Sequence, residues 1–323
     1  MWRGFAPNPV WTLGAVAHSV ARQLRDGSRM PDLRDMELLA ALARNMHFAR
    51  AAAECGISQP AFSARIRNME MDLGAPIVKR GNRFMGFTEE GEIALRWAHR
   101  MIADAQGLRQ EIQQSRGELS GKLVIGVVPT ALPYVAGVAA GLRKAHPKLT
   151  LQIYSRSASE IAQGLEDGSV DAGITYLESA RPSGSVSRHL FDEGYELLLP
   201  TSLAEGLTGS ITWADAAAFP LCLLTRNMQN RRIVDDAFLA AKAEPNVVME
   251  TDALTVSLVQ VGNGIAGTIT PRLMVDTVGM SLDIVRLELT EPMVTKPVGV
   301  VIADREPMLP AIKALMNVLE TPA

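Results

Sequence analysis

The sequence predicts an α+β fold in unlike parts: a small helical head closed by a basic hairpin, a long linker helix, and a two-lobed α/β domain. Three observations carry this. Apolar residues recur at helical spacing across residues 33–73. One apolar stripe then runs unbroken across residues 93–112. From Lys122 onward, apolar runs of strand length alternate with helical stretches. The implied boundaries are residues 1–30 as an extension, 31–89 as the head, 90–121 as linker helix and hinge, and 122–323 as the two-lobed domain.

With 323 residues, 47% hydrophobic and 21% charged, the chain has material for about two folded domains. A net charge of −3 excludes a molecule that is basic throughout, so any polyanion-binding face must be local. Residues 44–83 hold seven basic residues against three acidic ones, a net of about +4, although a solvated face has the same composition. Cys55 and Cys222 fall in different predicted domains, which excludes a disulfide framework or a metal spacing and fits a reducing compartment. Cys222 reads as a buried structural thiol, with a redox sensor as the rival. His18, His47, His99, His146 and His189 stand apart from acidic or cysteine partners and read as surface or packing residues, so no metal or cofactor is expected. The apolar run at residues 10–17 is too short to span a bilayer. It reads as an unstructured or loosely helical extension, or an over-long start, with a weak signal peptide as the rival.

The head begins with Leu33, Met36, Leu38, Leu39 and Leu42 on one helical stripe. Residues 48–55 are rich in small side chains, as a helix must be where another crosses it closely. Gly56 breaks that helix, Ile57 points inward, and Ser58 is a good N-cap for a third helix. Pro60 then falls in the first turn, where its missing N–H costs nothing. In the third helix Phe62, Ile66, Met69 and Leu73 form a single buried stripe. The opposite face shows Gln59, Ser63, Arg65, Arg67 and Asn68, side chains that bond phosphates or base edges on a helix sized for a major groove. Gly74 ends the helix. Residues 75–88 read as two short strands around a basic turn, a wing carrying Lys79, Arg80 and Arg83. The head is thus a winged helix-turn-helix.

The string Phe48-Ala49-Arg50-Ala51-Ala52, then Ile57-Ser58-Gln59-Pro60-Ala61-Phe62-Ser63, then Ile66, Glu70, Leu73-Gly74, Arg80 and Thr88-Glu89-Glu90-Gly91, resembles the DNA-binding signature of LysR-type transcriptional regulators. Cys55 stands where the family usually has leucine, and Ile77-Val78 replaces a Leu-Phe pair; both are apolar exchanges. The resemblance implies that Ser58, Gln59, Pro60, Ser63 and Arg65 face double-stranded operator DNA, that Arg50 meets a phosphate, and that Arg80 and Arg83 act from the wing. It implies a cytoplasmic, effector-responsive regulator that is not an enzyme and needs no membrane.

Thr88 suits the N-cap of the linker helix, with Glu89, Glu90 and Glu92 at its positive end. Ile93, Trp97, Met101, Ala105, Leu108 and Ile112 then repeat every three or four residues. Such a stripe packs on a copy of itself or lies against the head. The resemblance favours pairing, hence a homodimer and from it a homotetramer on two-fold-related DNA. Residues 117–121 are the hinge.

In the second domain, strand-like runs at residues 123–128, 149–154 and 172–176 enclose helical stretches at 133–146 and 158–164, a βαβαβ succession with a parallel sheet. Runs at 196–199, 221–224, 247–250 and 265–269 suggest a second lobe. Residues 298–302 and a helix at 310–319 return to the first. The sequence Val261-Gly262-Asn263-Gly264 follows a helix and precedes a strand, the wrong setting for a dinucleotide fingerprint. Asp171-Ala172-Gly173-Ile174 is similar to the helix-to-strand transition of the family's sensor domain and of periplasmic solute-binding proteins, implying a type 2 periplasmic-binding-protein-like effector domain. In two-lobed sheets, ligands sit beyond the carboxyl ends of the strands, where helix N-termini favour small anions. The candidate contacts are Thr130, Ser157, Ser159, Thr225, Arg226 and Asn227. Thr130, Ser157 and Ser159 serve equally as helix caps, and Arg226 either pairs a carboxylate or phosphate or is solvated. An exported solute-binding protein is a rival with no use for the helix at 58–67. An enzyme is a rival that needs paired titratable groups, which the sequence does not display.

Overall fold

A computed structural model describes residues 30–79, 81, 84–115, 118–179, 181–278 and 283–320. Most of the extension, with His18, and both Arg80 and Arg83 of the wing therefore lie outside the described residues. The chain divides between Ile102 and Ala103 into two compact units.

In the first unit, α1 (Leu33–Asn45) opens on a reciprocal capping box between Asp32 and Asp35 and closes at Met46 in the left-handed region, φ 50°. The His47 ring accepts from Ala49 N to start α2 (Phe48–Glu54). Ser58 caps α3 (Gln59–Leu73), with Pro60 in its first turn and Gly74 ending it at φ 67°. Phe62, Ile66 and Met69 are buried against Leu38, Leu39 and Leu42. Leu73, expected in the same stripe, is exposed. The helix ends there, and the buried position of its last turns belongs to Glu70. The Glu70 carboxylate accepts from Ile77 N at 2.9 Å and Val78 N at 3.2 Å, tying the base of the wing to α3.

The wing is slighter than two strands. A single antiparallel bridge joins Val78 to Phe87, extended by Lys79 N to Gly86 O at 3.0 Å. Edge-to-face contacts run in series beneath it, Phe62 to Phe48, Phe48 to Phe84 and Phe84 to Phe87, and close the core. The linker helix α4 (Glu89–Gln114) starts in this unit. Thr88 Oγ1 accepts from Gly91 N at 2.9 Å and donates to the Ile77 carbonyl at 3.2 Å. Gly91 is required at that point, because a Cβ there would sit 2.0 Å from Ile77 O.

The second unit contains β1 (Gly121–Val127), α5 (Leu132–Ala145), β2 (Leu149–Ser155), α6 (Ala158–Asp167) and β3 (Ala172–Tyr176). There follow β4 (Ser185–Pro200), β5 (Ser210–Thr212), α7 (Trp213–Ala216), β6 (Leu221–Leu224), α8 (Gln229–Ala240) and β7 (Val247–Thr251). The chain continues through α9 (Leu254–Gly262), β8 (Thr268–Pro271), α10 (Arg272–Val278), β9 (Ile284–Thr290), β10 (Thr295–Ala303) and α11 (Pro310–Glu320). The sheet order is β2-β1-β3-β10-β4-β9-β5, with β8 also on β4 and a separate parallel pair β6-β7. β1 runs parallel to β2 and β3, as the βαβαβ pattern led one to expect, and the late strand β10 returns to this lobe antiparallel to β3.

The second lobe differs from its expected form. Residues 196–199 are the end of a 16-residue strand, β4, whose first part pairs with β10 in the first lobe and whose last part pairs with β8 and β9 in the second. The run at 265–269 enters β8 only at Thr268. Strands β5 and β9 carried no clear sequence signal, being short or half-buried with interspersed polar residues. The second half of α4 belongs to this unit. Its buried Gln110 accepts from Ala311 N at 3.3 Å, and Gly107 meets Leu309 closely. No described helix is long and apolar enough to cross a membrane.

Gly91→Ala should destabilise the head by about 1–3 kcal/mol, the usual cost of overpacking a close contact. It should appear in urea unfolding as an earlier transition for the first unit, with the second unit's transition unmoved. An unchanged midpoint would show that α4 shifts freely at that contact.

Candidate nucleic-acid interface and ligand cleft

The outer face of α3 presents Ser58, Gln59, Pro60, Arg67 and Asn68 to solvent, with Ser63 half-buried beside them. The local sequence explains the presentation, since the inward stripe of Phe62, Ile66 and Met69 fixes the rotation of the helix. Gln59 Nε2 donates to Ser63 Oγ at 3.2 Å, a neutral pair of the kind that opens to meet a base edge. Arg50 is exposed on α2 and donates to Asn45 O at 3.0 Å. Lys79 is exposed at the wing base. A groove of about 1000 Å³ runs between α3 and that base, lined by Arg67, Asn68, Met71, Gly74, Pro76 and Lys79.

Arg65 departs from this set. Its Nε donates to Asp35 Oδ1 at 2.7 Å, and its Nη2 reaches Asp32 Oδ1 at 3.2 Å. The hydrogen bond and charge of Asp35 push its pKa further up, so it stays a cation tied to the start of α1. Its position on α3 suggests a DNA contact, whereas its carboxylate partners sit 30 and 33 residues earlier and are brought to it by the packing of α1 on α3.

In the second unit, a cleft of about 440 Å³ opens between the lobes. Of the six candidate contacts, Ser159 on α6 and Asn227 before α8 line it. Ser157 forms the capping box of α6 with Glu160, whose pKa is lowered by hydrogen bonds from Ser157 N–H and Oγ. Thr225 Oγ1 donates to Asn227 Oδ1 at 2.6 Å and orders that loop. Arg226 lines a different hollow, beside Arg231, Val248 and Glu250. Arg231 itself is 2% exposed and donates to Leu224 O at 2.8 Å, Glu250 Oε1 at 2.6 Å and Asp235 Oδ1 at 2.8 Å, pinning β6, β7 and α8 together.

Thr130 is buried rather than lining the cleft. Its hydroxyl lies 3.0 Å from Tyr176 Oη, which donates to Glu193 Oε1 at 2.8 Å. Tyr195 Oη donates to the same carboxylate oxygen at 2.7 Å. Glu193 is 3% exposed, and its Oε2 meets no hydrogen-bond partner among the described residues. Burial pushes its pKa up, and burial beside Glu193 pushes both tyrosines well above the usual phenol range. Sequence reasoning missed this cluster, since its members come from separate segments. Glu193 itself stands between Asp192 and Gly194, with Glu196 close by, so nothing local marked it as buried. Cys222 is wholly buried on β6 and its thiol is pushed up by burial, which fits the structural reading. Among the described residues no group of histidine, cysteine and carboxylate side chains is placed to hold a metal ion.

Residues 33–92 match the family described as bacterial regulatory helix-turn-helix protein, lysR family, and residues 116–322 match the LysR substrate binding domain. The DNA-binding transcriptional dual regulator OxyR of Escherichia coli K12 is 28% identical over 280 residues, 86% of this chain and 91% of that protein. The hydrogen peroxide-inducible genes activator of Dickeya chrysanthemi is 31% identical over 169 residues, 52% of this chain and 55% of that protein. The chain thus spans about half the length of several curated relatives it matches. A full-length OxyR variant from Pseudomonas aeruginosa superposes with a TM-score of 0.72 at 24% identity, covering 90% of this chain and 98% of that one. Full-length CbnR complexed with its target DNA gives 0.63 at 20% identity, covering 90% and 99%. At such identities the likeness is one of fold, and it agrees with the expected head, linker helix and two-lobed domain.

The buried carboxyl yields a pH signature. Because the folded-state pKa of Glu193 is raised, its contribution to stability is present below the ordinary carboxylate range and is lost as pH rises through the raised value. Glu193→Gln should remove that loss. The difference in unfolding free energy between variant and parent, followed by urea titration from about pH 4 to 8, should therefore move in the variant's favour with rising pH. A difference independent of pH would place the titration elsewhere.

Proposed function

Because the chain belongs to the LysR family of transcription regulators, we propose that it is a sequence-specific DNA-binding regulator whose output is set by a small molecule held between the lobes of its second unit. Members of this family are regulators rather than enzymes. One observation carries the DNA reading: α3 is held on its inner face by buried Phe62, Ile66, Met69 and Glu70 while its outer face offers Ser58, Gln59, Arg67 and Asn68. Cations at Arg50, Arg67 and Lys79 position the helix on phosphates, and the neutral polar groups of α3 read base edges. The sequence adds Arg80 and Arg83 to the same basic set. Arg65 is a strut within the head.

The working unit is a homodimer through α4, and a tetramer built from it. The supporting observation is the stripe on α4, where Trp97 and Leu108 are 58% and 60% exposed and Ile93, Met101 and Ile112 are exposed alongside them. A row of this kind at coiled-coil spacing is satisfied by a second copy. Operator binding places the protein in the cytoplasm.

Several relatives carry names that refer to hydrogen peroxide. Thiol-based peroxide sensing requires an accessible, low-pKa thiolate. Burial raises both Cys55 and Cys222, and Cys222 is sealed from solvent. These environments favour a bound ligand over thiol oxidation as the signal.

DNA selected from a random duplex library by the full chain supplies the test. Arg67→Ala should weaken binding and flatten the slope of log affinity against log salt by about 0.9, the value for one lost phosphate contact. Arg65→Ala should lower the melting temperature of the head and leave that slope alone. Failure to enrich any sequence, or a slope indifferent to Arg67, would refute the assignment. Leu108→Glu should halve the mass seen in sedimentation. A variant whose mass is unchanged would put the interface elsewhere.

A further inference from the structure

Glu193 stands at a seam between the lobes. The second-lobe helix α10 packs on α5 and on the first-lobe turn Pro129–Ala131. The carboxyl belongs to β4, just before its pairing passes from β10 to β8. One oxygen, Oε1, accepts a hydroxyl from each side. Tyr176 Oη of β3 donates at 2.8 Å, and Tyr195 Oη, from the part of β4 that pairs with β8, donates at 2.7 Å. Thr130, in the turn that α10 covers, joins through its 3.0 Å contact with Tyr176 Oη. A single buried carboxyl thus ties first-lobe segments to a second-lobe one.

The elements around it offer no free counter-charge. Lys296 is its direct neighbour in the β10–β4 ladder, but the ammonium is on Glu178, just beyond β3, at 2.6 Å. On β4 itself Arg188 pairs with Glu320 at 2.7 Å, Asp192 with His189 at 2.9 Å and Glu196 with Arg286 at 2.8 Å. On α10 Arg272 is shared by Glu196 and Glu288, and Asp276 holds Arg286 at 2.8 Å. α5 brings Tyr134, whose ring packs on Phe191 at 4.9 Å between centroids, while its cations Arg143 and Lys144 stand in the exposed last turn. The turn at 129–131 and β8 carry no titratable side chain.

Protonated, the group is a neutral acid whose Oε1 takes both phenols and whose Oε2 goes unmet among the described residues. Ionised, it sets a full charge in a dry seam, which costs far more than one unmade hydrogen bond. Water relieves that charge only where α10 lifts from α5 and the turn. We propose that Glu193 is a proton-operated latch between the lobes: protonated, it holds α10 against the first lobe, and ionised, it lets this seam open. Burial pushes the carboxyl up, so the latched state lies on the acid side and is lost as pH rises through the raised value. The latch acts from behind the cleft, whichever small molecule the cleft takes. A proton shifts the lobe equilibrium because its affinity differs between the two arrangements.

Hydrogen exchange of the full chain, without DNA or added compound, supplies the test, followed by mass spectrometry from about pH 5 to 8 and corrected for the intrinsic pH dependence of exchange. Protection of residues 129–145 and 272–278 should fall about tenfold or more across that range, the change that one unit of pKa difference produces. Strands β1 and β2 should keep theirs. Glu193→Gln should hold the seam protected throughout. Tyr195→Phe removes a hydrogen bond that favours the carboxylate, so the midpoint of the loss should move to higher pH. The proposal is overturned if the parent's seam protection is flat with pH, or if β1 and β2 lose protection in step with it. It is equally overturned if Glu193→Gln follows the parent's profile or Tyr195→Phe leaves the midpoint unmoved; should Glu193→Gln fail to fold, the Tyr195→Phe midpoint decides. Neither operator binding nor a cleft ligand enters the measurement, so its outcome is independent of the regulator reading.

Discussion

The second unit depends on one strand that serves two lobes. β4 takes different partners along its length, running as an edge strand on β10 in its first part and enclosed between β8 and β9 in its last. Its first ten residues ladder with β10 and so belong to the first lobe; its last six ladder with β8 and β9 and so belong to the second. The lobes therefore cannot separate by sliding. The pairing changes hands at Gly194.

At the changeover sits the least apolar part of the domain's core. Glu193 and Tyr195 come from β4 itself, Tyr176 from the end of β3, and Thr130 from the turn after β1. A buried network that is mostly satisfied favours one arrangement of the segments that build it, because any shift strands a polar atom away from water. The other lobe uses a buried cation for a similar purpose, since Arg231 binds the ends of β6 and β7 to α8. The walls of the cleft are thus positioned from behind, by groups that do not line it.

The head shows that a DNA-reading signature is largely a packing signature. Glu70 holds the wing base through two backbone N–H groups, Gly91 admits the Ile77 carbonyl, and Thr88 joins the wing to α4. These contacts are all to the head's own backbone. They set the angle at which Ser58, Gln59, Arg67 and Asn68 are displayed, and a reading helix is only as specific as its orientation is fixed. Arg65 belongs with them through its bonds to Asp32 and Asp35.

Local chemistry made much of this legible in the sequence. Caps and breakers such as Ser58, Gly74 and Ser157 act within a few residues, so helix starts and stops could be read directly. The periods of the apolar stripes told helix from strand in α3, α4, β3 and β6, and the exposed row on α4 was visible because nothing in its own sequence neighbourhood could cover it. What the tertiary structure decided were contacts between segments with no local pattern. The 16-residue reach of β4 was hidden because its half-buried first part alternates polar and apolar residues, as an edge strand would. The pairing of Arg65 with Asp35, the burial of Thr130 with Tyr176 and Glu193, and the turning of Arg226 away from the cleft each depend on which elements meet. Periodicity assigns a side chain to a face of its own helix or strand. Only the packing of that face decides whether the side chain meets solvent, a ligand or a carboxylate thirty residues away.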